Sequence, residues 1–443
     1  MRIKDEMTRS IIEKKEGALR FHTVRTDKFK MSRLSLNFIL PADAERSPLT
    51  RLMLAVMMRG CRKYPTVIEI NKKLDELYGA TVTWRAVTVG ERHIFKISCE
   101  MLSNKYTLPG DRDSVVRRVC DVVLDILLDP LLDEEGLLSS SNLESERKLL
   151  IDAIRAKIND QKAYAAERCR DLMLAGERSG ISVEGNVEML EGFTLRQVSE
   201  NIQWFLKNAA LECYYVGGDE TDDVVELLNK RFAEMGRELR PLGGEERALT
   251  RPEDFEVRKG EDSMQVSQSR LNIGYTLGTV MSDTNYHAMT VFNEIFGGSS
   301  VGKLFINVRE KKSLCYYCYS SYGSATGVMT VACGIKKENR DKAFSEIEKQ
   351  LLKMQTGQFT DDEIESAKRT IISGLYQIED SPSAIEAFFF RRFLAGVEEG
   401  VEDCIRKISA VTKEEIVESA RKVRLDTVYF LSGEGEEDYD ERD

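Results

Sequence analysis

The 443-residue sequence predicts an α+β fold made of two copies of one α/β unit, each with grouped strands and helices laid on one face. Three observations lead there. The strand-like runs Ser32-Arg33-Leu34-Ser35-Leu36-Asn37-Phe38 and Ser269-Arg270-Leu271-Asn272-Ile273-Gly274-Tyr275 are near copies 237 positions apart, and each alternates apolar with other residues as a half-buried strand does. The same offset, with no gap, places Gly60 on Gly297 and Leu77 on Leu314, so the helical segment after each strand keeps register. Each copy also ends alike, since Thr194 opens a helical stretch followed by LECYYVGG and Thr412 opens TKEEIVESARKV followed by TVYFLSG.

In the first copy, strand patterns at 19–23, 34–40, 82–89 and 93–99 surround helices at 48–58 and 66–77. Val67, Ile70, Leu74 and Leu77 share one face of the second helix, the spacing of an amphipathic surface helix. Long helical patterns follow over 114–128 and 143–174. Near the end of the second copy, Thr412 and Glu415 have capping-box spacing, in which hydroxyl and carboxylate satisfy the orphan donors of a helix start. These signals divide the chain into a first domain at 1–236, a linker at 237–263 holding Pro241, Gly243, Gly244 and Pro252, a second domain at 264–433 and an acidic tail at 434–443.

Composition excludes several classes. Apolar residues at 42% and charged residues at 31% suit globular cores rather than disorder. With 64 basic and 75 acidic residues the net charge is −11, so no basic stripe exists to select a phosphate backbone and nucleic acid is not an expected partner. The first ten residues, MRIKDEMTRS, are not followed by the apolar run of a secretory signal. The most apolar segments, 52–58, 122–128 and 387–390, fall far short of the roughly 20 residues that cross a bilayer, so no membrane is expected. Nine cysteines, an odd number spread along the chain, fit reduced thiols, and the expected location is the cytoplasm.

The stretch 292–317, FNEIFGGSSVGKLFINVREKKSLCYY, contains Gly297, Gly302 and Lys303 at the spacing of a phosphate-binding loop. Leu304 follows, where a nucleotide site needs a hydroxyl for magnesium, and the preceding residues form a helical rather than a strand pattern, which argues against nucleotide binding. The residues Gly297-Gly298-Ser299-Ser300, Leu304-Phe305, Arg309-Glu310-Lys311 and Leu314-Cys315-Tyr316 instead resemble the carboxyl-terminal domain of insulinase-type (pitrilysin superfamily) zinc peptidases. The resemblance extends over almost the whole chain and implies two insulinase-like domains, each a mixed, mostly antiparallel sheet with helices packed on one face, in a clamshell arrangement.

The resemblance implies a zinc motif, H-x-x-E-H, on a helix of the first domain just ahead of a Gly and a Tyr-Pro. Two imidazoles four positions apart share a helical face and hold the ion, while the Glu acts on its water. Here, aligning Gly60 and Tyr64-Pro65 puts Arg51, Leu54 and Ala55 at those positions, and Glu144 at that of the family's third ligand, a downstream Glu. The three histidines, His22, His93 and His287, fall outside the motif. The expectation is therefore a degenerate site, no zinc and no other cofactor in this chain, with Glu144 remaining as a solvated or ion-paired helix residue.

The second domain keeps more of the pattern. In active assemblies that the resemblance brings to mind, an Arg and a Tyr seven residues apart in the non-metal half reach the substrate's carbonyl, and Arg309 and Tyr316 match them as substrate-binding residues. A cation and a phenol donor stabilise charge growing on that oxygen. Cys315-Tyr316-Tyr317-Cys318 is a C-x-x-C with no second pair at zinc-ribbon spacing, which suggests ordinary thiols on a strand. Phe388, Phe389, Phe390 and Phe393 suggest a helix face packed in a core. The resemblance thus leads to the expectation that the chain is the non-catalytic, pseudo-peptidase subunit of a heterodimeric zinc metallopeptidase. On that reading it is inactive alone, helps enclose an unfolded peptide, and pairs with a homologous subunit that supplies the zinc. The alternative is a catalytically silent homodimer that binds peptide or acts as a scaffold.

Overall fold

The computed structural model describes residues 12–109, 111, 113–265 and 268–433. The amino-terminal ten residues and the acidic tail read from the sequence lie outside this range. In chain order the first part of the chain forms β1 (Ile12–Glu16), β2 (Leu19–Arg25), β3 (Met31–Pro41), α1 (Arg46–Met57), α2 (Val67–Glu76), β4 (Thr81–Val89), β5 (Arg92–Leu102), α3 (Val115–Leu128), α4 (Ser140–Ala156), α5 (Gln161–Met173), α6 (Val187–Gly192), α7 (Leu195–Asn208), β6 (Ala210–Gly217) and α8 (Asp222–Ala233). The remainder forms β7 (Arg258–Met264), β8 (Ser269–Thr276), α9 (Tyr286–Asn293), β9 (Cys315–Gly323), β10 (Val328–Ile335), α10 (Arg340–Gln355), α11 (Asp361–Gln377), α12 (Pro382–Ala395), α13 (Val401–Ala410), α14 (Lys413–Lys422) and β11 (Arg424–Gly433). Among the described residues no helix is long and apolar enough to cross a membrane.

The duplication read from the sequence is present as a six-stranded sheet, β1-β2-β6-β3-β5-β4, and a five-stranded sheet, β7-β11-β8-β10-β9, whose orders match from β2 and β7 onward. The parallel pairs β2/β6 and β7/β11 are equivalent, and the other neighbours are antiparallel. The repeated heptads occupy β3 and β8, each between the carboxyl-terminal strand of its unit and the second strand of a hairpin, β5 or β10. Alternation then assigns faces. Leu34, Leu36 and Phe38 enter the first core with α1, α3, α7 and α8, and Leu271, Ile273 and Tyr275 enter the second with α9, α10 and α14.

The chain divides into two compact units that interleave in sequence. One comprises Met1–Arg155, Ile181–Glu245 and Ile378–Arg391; the other comprises Ala156–Gly180, Glu246–Gln377 and Arg392–Asp443. The long helix expected over 143–174 is therefore two helices, α4 and α5, one in each unit, joined by a turn at Lys157–Asn159. The Asp160 carboxylate accepts the Ala163 N–H at 3.0 Å, capping a fresh helix start where apolar periodicity alone shows no break. In its unit α5 lies on the sheet face opposite the core, where Gly274 leaves room for the Met173 sulfur. In the other unit, residues 382–391 of α12 cover the equivalent face of the first sheet. There the Glu386 carboxylate accepts from Ser35, Arg33 and Lys96, and Phe390 meets the Tyr214 ring at 5.5 Å.

Local signals are realised as well. Thr194 with Gln197 and Thr412 with Glu415 form capping boxes at the starts of α7 and α14. The segment 237–263 is packed in part: Arg237 is buried and donates to the carbonyls of Leu206 and Ala209, and Arg92 donates to those of Gly243 and Gly244. From Arg258 it forms β7.

Candidate functional site

Helix α1 carries Arg51, Leu54 and Ala55, the positions at which a degenerate motif is expected. The Asp43 carboxylate opens it by accepting the N–H groups of Glu45 at 3.0 Å and Arg46 at 2.6 Å. From Leu52 to Met57 every side chain is buried, the character of a helix enclosed on all sides. Leu54 is 1% and Ala55 2% exposed, so both lie in the core. The Arg51 guanidinium is 3.4 Å from the Glu184 carboxylate. Burial pushes its pKa down, and Glu184 opposes that shift.

Glu144 turns elsewhere. Its side chain is 66% exposed and pairs with Arg147 at 2.6 Å. The neighbouring Glu146 is more buried; it lies 3.4 Å from Arg59, and burial raises its pKa. An aliphatic chain, a methyl group and a guanidinium offer no lone pair to a divalent cation, so the residues at these positions do not fit zinc. The Gly60 and Tyr64-Pro65 signature has a packing reason of its own: a Cβ at Gly60 would collide with the Pro65 carbonyl oxygen.

The matching region of the second unit is built differently. After α9 the backbone makes wide, i→i+5 helical turns at Glu294–Gly298 and Phe305–Glu310. Gly297 lies so close to β9 that a Cβ would come within 2.6 Å of the Leu304 side chain and 2.9 Å of the Ser320 nitrogen. Lys303, the cation of the apparent phosphate loop, is 7% exposed and donates to Glu363 at 2.8 Å. It is part of the fold's packing.

Arg309 closes the second wide turn, with its guanidinium 4.6 Å from the Phe305 ring centroid and its side chain 41% exposed. The chain reverses at once. The Ser313 N–H donates to the Arg309 carbonyl at 2.9 Å and the Leu314 N–H to the Val308 carbonyl at 3.1 Å, with Ser313 at φ 51°. Strand β9 then starts with an irregularity, since Ile335 of β10 pairs with Cys315 but Gly334 pairs with Tyr317. Tyr316 is thus the extra residue of a β-bulge, the device that re-aims a side chain beside functional sites, and it is 56% exposed. The reversal and the bulge bring Arg309 and Tyr316 to the same end of β9, which is the edge strand of its sheet.

Across β9, Tyr317 and Tyr319 both face Lys162 of α5, its ammonium 4.7 Å from each ring. Cys318 points into the core. A third thiol that the C-x-x-C spacing does not reveal, Cys333 of β10, lies directly opposite Cys318. Hydrogen bonds with Cys318 and Cys333 hold the Cys315 thiol well below the ordinary thiol range, with Arg309 adding to the effect. A signal existed in the sequence: positions paired across a hairpin have a constant sum, so placing the turn between Gly323 and Val328 would have put 333 against 318.

A family model described as "Peptidase M16 inactive domain" matches residues 192–371. The "Probable inactive metalloprotease YmfF" of Bacillus subtilis (strain 168) is 31% identical over 422 residues, spanning 95% of this chain and 97% of that protein. The "Uncharacterized zinc protease YmxG" of the same organism is 24% identical over 310 residues, 68% of this chain and 71% of its own length. Among solved structures, a conserved protein from Enterococcus faecalis V583 superposes with a TM-score of 0.85 at 26% identity, covering 95% of this chain and 97% of that one.

Proposed function

The chain belongs to the M16, insulinase/pitrilysin-type, peptidase family as an inactive homologue, and from that premise we propose that it is the non-catalytic subunit of a heterodimeric zinc metallopeptidase. A homologous partner supplies the zinc motif. This chain helps enclose and bind an unfolded peptide and contributes Arg309 and Tyr316 to the partner's active site.

One contrast carries the reading. The motif helix has exchanged every metal-binding group for buried apolar or cationic side chains, while Arg309 and Tyr316 remain presented beside the bulge of an edge strand. An edge strand offers backbone donors and acceptors to an extended peptide without demanding one sequence. A guanidinium and a phenol there supply the donors that an oxyanion needs.

The test is reconstitution with a zinc-bearing homologue from the same cell. The isolated chain is expected to hydrolyse no peptide. In the reconstituted pair, Arg309→Ala or Tyr316→Phe should lower kcat by about 10- to 1,000-fold, by analogy with the loss of one oxyanion donor, which costs about 100- to 1,000-fold. Unchanged turnover in both variants would remove their role. A stable self-associated dimer that binds peptide and recruits no zinc-bearing relative would favour a silent scaffold instead.

A further inference from the structure

We infer that Cys315, Cys318 and Cys333 form a trithiolate binding site for one soft, thiophilic metal ion, built on strands β9 and β10 and separate from the degenerate zinc motif. The three sulfurs all lie within 4.8 Å of one another. Around an ion with metal–sulfur bonds of about 2.3 Å, thiolates sit roughly 3.8–4.0 Å apart, so closure takes a contraction of about an ångström at most.

The convergence depends on the bulge. Residues three apart on a regular strand point to opposite faces. Cys315 and Cys318 would therefore be parted, with Cys315 on the α5 side beside Tyr317. The extra residue, Tyr316, reverses the alternation, and Cys315 packs against the same core cluster that holds Cys318 and Cys333. One backbone irregularity thus both exposes Tyr316 and gathers the three thiols. Gly334 keeps the strands close at this point, since a Cβ there would run into the Tyr317 ring.

The donor set chooses the ion. Sulfur ligands with no carboxylate or imidazole in the group favour zinc(II), cadmium(II) or copper(I) over calcium and magnesium. Cys318 and Cys333 are 3% and 0% exposed, whereas Cys315 is half-buried, so the ion enters from the Cys315 side. Arg309 acts electrostatically on Cys315 and so offsets part of the charge that three thiolates bring. Binding exchanges thiol protons for the metal, and the occupied site clamps β9 to β10 at the bulge that displays Tyr316.

This inference does not rest on the peptidase role. The fully reduced, full-length chain would be titrated anaerobically with cadmium(II), following the thiolate-to-cadmium charge-transfer absorbance and the release of protons. One equivalent per chain should saturate the band, and a large excess of zinc(II), the less thiophilic ion, should lower it in competition. Cys315→Ser, a near-isosteric change at a half-buried position, and Cys333→Ala should each abolish the stoichiometric band; circular dichroism verifies that the variants are folded. A band that persists in folded Cys315→Ser, no saturable band in the native chain, or a Cys318–Cys333 disulfide in the purified protein would each overturn the site.

Discussion

The Glu386 carboxylate is 1% exposed and serves three donors on the first sheet. Arg33 Nε lies 2.5 Å away, and the Ser35 hydroxyl and the Lys96 ammonium also donate to it. Substituting Glu386→Ala affects the cations unequally. Arg33 keeps Glu100 at 2.6 Å and the Ser98 hydroxyl at 2.9 Å. Lys96, only 4% exposed, loses its carboxylate partner and keeps the Phe390 ring at 5.6 Å. Removing one member of a buried pair costs roughly 3–5 kcal/mol, because the remaining charge is uncompensated. Burial already lowers the Lys96 pKa, so deprotonation relieves part of this cost at high pH.

Replacing both groups, as Lys96→Met with Glu386→Leu, removes both desolvation penalties and should cost far less than the two single changes together. The assay is tryptophan fluorescence during urea unfolding, since the chain's two tryptophans, Trp84 and Trp204, both lie in the unit that contains Glu386. An acid arm follows from the sign of the shift. Burial would raise the Glu386 pKa, but Lys96 and Arg33 outweigh it and hold it below the ordinary value. The group's contribution is therefore fully present above the ordinary Glu range and is lost as pH falls through the depressed value. A Glu386→Ala loss under about 1 kcal/mol, or strict additivity in the cycle, would refute the reasoning.

Two further outcomes use the same fluorescence assay. Gly60→Ala should lose about 1–3 kcal/mol, because the new methyl meets the Pro65 carbonyl, whereas Gly192→Ala, with nothing within 4 Å of the added carbon, should be neutral or stabilising by up to about 1 kcal/mol. Equal effects at the two glycines would contradict the packing argument. His93 is buried, with Nε2 2.9 Å from the Ile181 carbonyl, and burial lowers its pKa from the ordinary 6.5. Its neutral form is the folded one, so its contribution is full above pH 6.5 and declines as the unfolded state takes up the proton at lower pH. Between pH 7.5 and 5 the native chain should lose stability more steeply than His93→Gln, by less than about 1.4 kcal/mol per pH unit, and parallel profiles would exclude this group as a source.

Much of the architecture was legible because it rests on local periodicity. The heptads in β3 and β8 alternate strictly, and the spacing of Ile70, Leu74 and Leu77 names the buried face of α2. That Arg51, Leu54 and Ala55 offer nothing to a metal was legible for a simpler reason: whether a side chain carries a ligand atom is a property of residue type. Periodicity fails where faces change without a break in pattern. The expected helix over 143–174 kept its apolar rhythm across Asp160, although α4 and α5 serve different units. The C-x-x-C was read on β9 alone, whereas its third thiol comes from the facing strand.

By itself the sequence determined the two-copy α/β plan, the capping of α7 and α14, and that Arg51, Leu54 and Ala55 offer no metal-ligating atom. Each of these is set by residue type and spacing within one element. Only the tertiary structure decided that Arg51 faces Glu184, that Glu144 is solvated beside Arg147, and that Cys333 completes a cluster with Cys315 and Cys318. It also decided that Tyr316 leaves the ladder, because a bulge is an irregularity of pairing between two strands. Pairing register depends on what the neighbouring strand presents, which no single strand encodes.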